Sequence, residues 1–312
     1  MGRIIEVKGL EKSYKNEKVV KSIDFYVEKG EILGFLGPNG AGKSTTINIL
    51  STVLNWDKGD VNIFDNSINK NVNEIKQRMG VVPQELAIFE DITAEQNVKF
   101  FASLYKVKGE ILKERVKEAL QFVGLYDKKD QKPKTFSGGM KRRLNIACAI
   151  AHQPELIIMD EPTVGIDPQS RNYILDSIKD LKKKGVTVIY ATHYMEEVEE
   201  IADRVLIMNE GNIIAKGTIQ ELNNLISTAV TYEFVIDNIN NLDNSDFTEL
   251  LGVSKVLQEE DKVSITVENG YDHLNELVAV LLNRKCKIKK MTTTEASLET
   301  VFLDLTGRML KD

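Results

Sequence analysis

Ile32-Leu-Gly-Phe-Leu-Gly37-Pro-Asn-Gly-Ala-Gly-Lys43-Ser-Thr45 decides the architecture of this chain. A short apolar run is followed by eight residues, Gly37, Pro38, Asn39, Gly40, Ala41, Gly42, Lys43 and Ser44, that fit the pattern G-x-x-x-x-G-K-[ST]. A helical pattern over residues 45–54 completes the strand, turn and helix that the pattern needs. Glycines let the backbone wrap closely around an anion, so that successive N–H groups point at phosphate oxygens. The helix N-terminus adds a partial positive charge. Lys43 is the side chain to reach β- and γ-phosphates, and the Ser44 hydroxyl is a ligand for Mg²⁺.

Outward from this loop, residues 3–8, 18–27 and 31–36 cluster or alternate apolar side chains as strands do, and 61–64 and 80–82 read as short strands. The pattern turns helical from 93 to 123 and again over 139–151, before strands at 156–159 and 186–190. Strands alternating with helices predict a mainly parallel sheet flanked by helices. In Leu156-Ile-Ile-Met-Asp-Glu-Pro162 a buried strand ends in two carboxylates. The carboxyl edge of a parallel sheet faces the ligand crevice. Asp160 is therefore placed to hold Mg²⁺, and Glu161 to polarise an attacking water. A third stretch, Phe136-Ser-Gly-Gly-Met140, opens a basic helix with Ser137 as an N-cap. Gly138 and Gly139 leave amides exposed at that helix start, either a second phosphate-binding surface or an ordinary capped helix.

The 312 residues suit two domains, or one large domain with an appendage. Hydrophobic residues at 42% and charged residues at 28% are ordinary for a globular protein, and exclude a disordered or fibrous chain. A net charge of −6 argues against a nucleic-acid binder. The longest unbroken apolar runs, 146–151 and 277–282, are far short of the roughly 20 residues a spanning helix needs. Nor does the start of the chain read as a secretion signal. Cys148 and Cys286 lack metal-ligand spacing; Cys148 reads as a small core residue. These features predict a cytoplasmic location.

Taken together, Tyr14, the loop 37–45, Gln84, the pentad 136–140, the acidic strand 156–161, Asp167 and His193 resemble the ordered motifs of the ATP-binding subunit of an ABC transporter. The resemblance covers roughly residues 3–225 and implies a P-loop α/β cassette: a mixed, mainly parallel sheet, an antiparallel β subdomain and a helical subdomain at about 86–150. It implies an ATPase using ATP and Mg²⁺. Tyr14 would stack on adenine, residues 37–45 would bind the phosphates, and Ser44, Gln84 and Asp160 would attend the metal. Lys43, Glu161 and His193 would form the catalytic set. Ser137, Gly138, Gly139 and Met140 would act on ATP held by a partner, and Asp167 would lie between subunits. Two copies, or two related cassettes, would therefore close head to tail over two ATP molecules. Met140 stands where the family usually has Gln, and Phe136 where Leu is common.

Ser-Gly-Gly-Met-Lys-Arg-Arg at 137–143, the 163–167 form and the segment from Ala296 to Thr306 resemble ABC-2 type exporters of the drug-resistance, antibiotic-immunity and sodium-extrusion kind. That resemblance implies a separate integral membrane permease, docking near residues 84–105, and a peripheral position on the inner face of the membrane. An importer ATPase, or a soluble ABC ATPase without a transport role, are the alternatives. His152 and His273 match no family motif and read as structural or surface residues. After about residue 225 the texture changes to a small α/β accessory domain over 226–312. Its expected strands lie near 232–236, 253–258, 263–267 and 287–291, its helices at 274–282 and 298–310, and a loop over 238–246.

Overall fold

The computed structural model describes residues 2–15, 17–225, 230–248, 250–259, 261–268, 274–294 and 297–306. His273, Ala296 and the residues beyond 306 lie outside the described residues. The chain forms two compact units, one over Met1–Ile219 and one over Gln220–Met309.

The first unit runs β1 (Arg3–Tyr14), β2 (Glu17–Glu28), β3 (Ile32–Leu36), α1 (Lys43–Leu50), β4 (Lys58–Ile63), β5 (Asn66–Ser67), α2 (Val72–Gln77) and β6 (Met79–Val82). It continues through α3 (Ala94–Leu104), α4 (Gly109–Phe122), α5 (Gly138–Ile150), β7 (Leu156–Asp160), α6 (Pro168–Lys183), β8 (Thr187–Thr192), α7 (Met195–Ile201), β9 (Arg204–Asn209) and β10 (Asn212–Gly217). A short helix, α8 (Ile219–Asn223), begins where the two units divide. That point lies ahead of residue 225, where the sequence texture changes.

Strands β10-β9-β3-β8-β7-β6 form a six-stranded sheet. Only the β10–β9 pair is antiparallel; the others run parallel. A second, antiparallel sheet has the order β2-β1-β4-β5. Apolar residues from both sheets and α1, among them Val7, Phe25, Phe35, Ile47, Leu50, Val61, Ile158 and Leu206, form one continuous core. β3, β7 and β8 are buried from end to end. Each large apolar side chain there contributes about 1.5–3 kcal/mol of transfer free energy, and this holds the three strand ends in fixed relation. The register pairs Leu36 with Thr192 and Asp160 with Ala191. The glycine-rich loop, the two carboxylates and His193 therefore leave the same sheet edge side by side.

Several local expectations are corrected. The helical stretch 93–123 is two helices. Thr93 caps α3 in a reciprocal box with Gln96, and the chain then breaks between Leu104 and Gly109, where Lys106 and Gly109 both take positive φ. On α4 Leu112 is buried and Ile111 exposed. α1 stops at Leu50, with Thr52 at φ 62°, instead of reaching 54. Strands β9 and β10 and helix α7 were not anticipated.

The second unit contains β11 (Val230–Asp237), α9 (Ser245–Thr248), β12 (Val253–Glu259), β13 (Lys262–Val267), α10 (Leu274–Asn283), β14 (Lys287–Thr294) and α11 (Leu298–Thr306). Its antiparallel sheet has the order β12-β13-β11-β14. Alternation places Tyr232, Phe234, Ile236, Val263, Ile265 and Val267 on the buried face with Leu277 and Leu281 of α10. The expected loop 238–246 holds a 3₁₀ turn, entered with Asn238 in the left-handed region, and the start of α9, where Asp243 accepts from the Ser245 amide.

Candidate active site

The turn after β3 is shaped by close approach. Gly42 caps α1 at φ 102°, a conformation open to glycine. A Cβ there would stand 2.7 Å from Met208 Cε and 2.8 Å from the Val19 carbonyl oxygen. Lys43 folds back over the loop and donates to the carbonyls of Gly37 (2.6 Å) and Pro38 (3.2 Å). Its ammonium also lies 3.4 Å from Glu161 Oε1, both side chains about 5% exposed. Burial pulls the Lys43 ammonium below its ordinary value, and the Glu161 carboxylate opposes that shift.

Glu161 follows β7 with φ 49°, unusual for a residue with a side chain and further constrained by Pro162 behind it. Such a conformation costs on the order of 1–3 kcal/mol and persists where surrounding contacts enforce it. Here its N–H donates to the Ala191 carbonyl on the neighbouring strand (2.9 Å). The result aims the carboxylate between two bases: Oε1 toward Lys43, and Oε2 at 2.9 Å from His193 Nδ1. Asp160 is buried beside it. Burial raises its pKa, the Ser44 hydroxyl bond and the Lys43 charge lower it, and the Glu161 charge raises it further. Asp160 Oδ1 has no hydrogen-bond partner. A buried carboxylate oxygen left over next to a serine hydroxyl is a donor set of the kind a hard divalent cation takes.

A cleft opens over these groups. Pro38, Asn39, Gly40, Gly42, Lys43, Ser44 and Thr45 line it together with Val19, Gln84 and Glu161. Gly37 and Ala41 are buried beneath it. Tyr14 is absent from the lining; it ends β1 with 47% of its surface exposed. Val19 was not singled out from the sequence, since an unremarkable valine within strand β2 carries no motif.

The linearmycin resistance ATP-binding protein LnrL of Bacillus subtilis (strain 168) is 40% identical over 311 residues, which cover 99% of this chain and all of that one. The chain belongs to the ABC transporter ATP-binding family. A family profile described as ABC transporter matches residues 20–164. The Nod factor export ATP-binding protein I of Ralstonia nicotianae is 32% identical, over 99% of this chain and 95% of that one. Among solved structures, a dimeric ATP-binding cassette in a post-hydrolysis state with ADP and phosphate matches at TM-score 0.63 and 26% identity, over 69% of this chain and 98% of that one. This ABC subunit is an ATPase.

In the ABC subunit the remaining motif residues lie outside that lining. Ser137 caps α5 by accepting from the Met140 amide (3.3 Å), with Ser137 and Gly138 exposed, Gly139 buried and Met140 half-buried. Asp167 caps α6, accepting from the Ser170 amide (2.9 Å); that bond holds its carboxyl below the ordinary value. α5 is tied to Gln84 from behind: the buried Arg142 guanidinium donates to the carbonyls of Pro83 (2.8 Å) and Gln84 (2.6 Å).

Proposed function

We propose that this chain powers export through a separate membrane permease, by ATP-driven closure of two cassettes. One observation carries the catalytic part: the Glu161 carboxylate stands between Lys43 and His193 at the edge of the phosphate-loop cleft. In this reading Lys43 shifts from the loop carbonyls to the β- and γ-phosphates, and the amides of residues 37–45 hold the phosphate chain. His193 contacts the γ-phosphate and orients Glu161, which takes a proton from the attacking water. Ser44, Asp160 and Gln84 hold Mg²⁺, which when bound neutralises charge on the phosphates. Tyr14, an exposed residue at the end of β1, would supply its ring to adenine.

The position of Ser137–Met140 outside the chain's own ATP cleft supports closure against a second cassette, in which each signature reaches the other's nucleotide. Asp167 would then lie at the contact between chains. The dimeric state of the solved cassette favours the same arrangement. Residues 84–105 offer the permease a surface with Leu86, Phe89 and Phe100 exposed. Phe89, Phe100 and Phe101 pack on one another with centroids 5.1–6.0 Å apart. Asn97 pins the segment by bonding both backbone groups of Phe89. No helix among the described residues is long and apolar enough to cross a membrane, so the permease would hold the subunit at the inner face. Export rather than import is favoured by the names of its relatives, one a resistance protein and one an export protein.

Glu161→Gln tests the core of this reading. The variant is expected to bind ATP, to hydrolyse it at least about 100-fold more slowly, and to accumulate as a closed dimer by light scattering in the presence of ATP. Near-normal turnover would remove Glu161 from the base role.

A further inference from the structure

Helix α7, Met195-Glu-Glu-Val-Glu-Glu-Ile201, carries four glutamates, yet Glu197 is fully buried. Its carboxylate gathers groups from three other elements. Oε2 accepts from Tyr190 Oη (2.6 Å), Thr163 Oγ1 (2.9 Å) and Thr192 Oγ1 (3.4 Å). Oε1 faces Arg171 Nε at 2.8 Å. Thr163 lies two residues after Glu161, and Thr192 immediately precedes His193. Arg171 belongs to the first turn of α6, where its N–H donates to the carbonyl of Asp167 (2.9 Å). One buried anion therefore grips the turn that carries Glu161, the strand end that carries His193, and the helix that Asp167 caps.

A buried charge of this kind is seldom the cheapest way to stabilise a fold, since a well-packed apolar replacement is often neutral or better. What the carboxylate provides here is a fixed relation between elements. Glu161 sits in a strained backbone conformation, held on one side by the Ala191 carbonyl and followed two residues later by the Thr163 bond to Glu197. We propose that Glu197 is a positioning residue for ATP hydrolysis, locking Glu161 and His193 into mutual reach and coupling that geometry to the Asp167 helix. It touches no nucleotide and acts through the residues it holds. The inference rests on the roles given above to Glu161 and His193.

The test uses the full chain. ATP turnover and KM of Glu197→Ala, Glu197→Gln, His193→Ala and the His193→Ala/Glu197→Ala double variant are measured, with rates expressed per nucleotide site titrated with a fluorescent ATP analogue. For Glu197→Ala, kcat is expected to fall about tenfold or more with KM little changed, as misplacement of reacting groups costs rate rather than binding. Glu197→Gln, whose amide oxygen still accepts from the hydroxyls, is expected to recover most of that loss. The double variant is expected to be no slower than His193→Ala alone, because both act through one geometry. A wild-type kcat in Glu197→Ala, a loss confined to KM, or losses that multiply in the double variant would overturn the proposal. If Glu197→Ala binds no nucleotide, Thr163→Val/Tyr190→Phe takes its place under the same criteria. Glu161→Gln run in parallel separates the two levels. If it turns over normally, the assignment of the site fails. If it is inactive while Glu197→Ala is unimpaired, only the positioning role fails.

Discussion

Two helices of this cassette start beside a glycine, α1 with Gly42 as its cap and α5 with Gly138 as its first residue, but the fold uses the two starts in opposite ways. The start of α1 is closed: Gly42 is buried under Met208 and the Val19 carbonyl, and Lys43 lies over its own loop against Glu161. The start of α5 is open: a Cβ on Gly138 would meet nothing within 4 Å, and Ser137 satisfies the Met140 amide with its own hydroxyl. A helix N-terminus binds anions in either setting. The closed one lies beside Glu161 with Lys43 folded against it, whereas the open one lies outside the cleft. This difference is what a site shared between two chains requires of its halves.

The sharpest break in the comparison is Gly42→Ala. At φ 102° with backbone oxygen 2.8 Å from the new methyl, the loop has to move. Nucleotide affinity should fall by more than about 100-fold, because the α1 amides and Lys43 lose their common aim. A fluorescent-nucleotide titration reads this directly, and retained affinity would show that the closed geometry is not needed for binding. Gly138→Ala makes the same chemical change at the open end. The space is free and the backbone φ is not positive, so the melting temperature and the affinity of a single chain for nucleotide should stay at wild-type values. ATP turnover should nonetheless fall about tenfold, from a methyl placed where donors must approach the partner's phosphates. If turnover stays unchanged while binding is intact, the shared-site reading of α5 is wrong.

How much of this was legible in the sequence follows from how local each feature is. The loop 37–44, the strand ending in Asp160 and Glu161, and the N-cap Ser137 are set by a few adjacent residues, and each stands where its spacing implied; Asp167, which caps α6, was not read as a cap. The meeting of Glu161 with His193 depends on β7 and β8 being neighbours in register. That followed from the family resemblance and not from the residues themselves. Glu197 was illegible because it sits among Glu196, Glu199 and Glu200. Only its helical phase, four residues before the buried Ile201, sets it apart. The break at 105–108 was missed because Tyr105-Lys-Val-Lys108 keeps a helix-compatible composition, and the turn depends on positive φ at Lys106 and Gly109. In the second unit, alternation gave strands, and residues such as Phe234, Ile265 and Leu277 pack in its core.

The smallest expected effect concerns what holds the open helix in place at its far end. His152, just past α5, is buried, donates from Nε2 to the Met79 carbonyl (3.0 Å), and stacks on Tyr105 with centroids 3.5 Å apart. Burial pushes its pKa down to about 4, the Met79 bond opposing and the Arg115 charge assisting. The unfolded chain takes up this proton near pH 6.5, well before the folded chain does. Stability supplied by the neutral ring is therefore complete above pH 6.5 and is lost as pH falls toward 4. Between pH 7.5 and pH 5, the melting temperature of the wild type should drop about 5 °C further than that of His152→Gln, on the usual scaling of a few degrees per kcal/mol. Parallel curves for the two proteins would mean that the ring is protonated without strain. The anchor of α5 would then be its backbone contacts, such as the Arg115 bond to the His152 carbonyl (3.1 Å), which the substitution leaves in place.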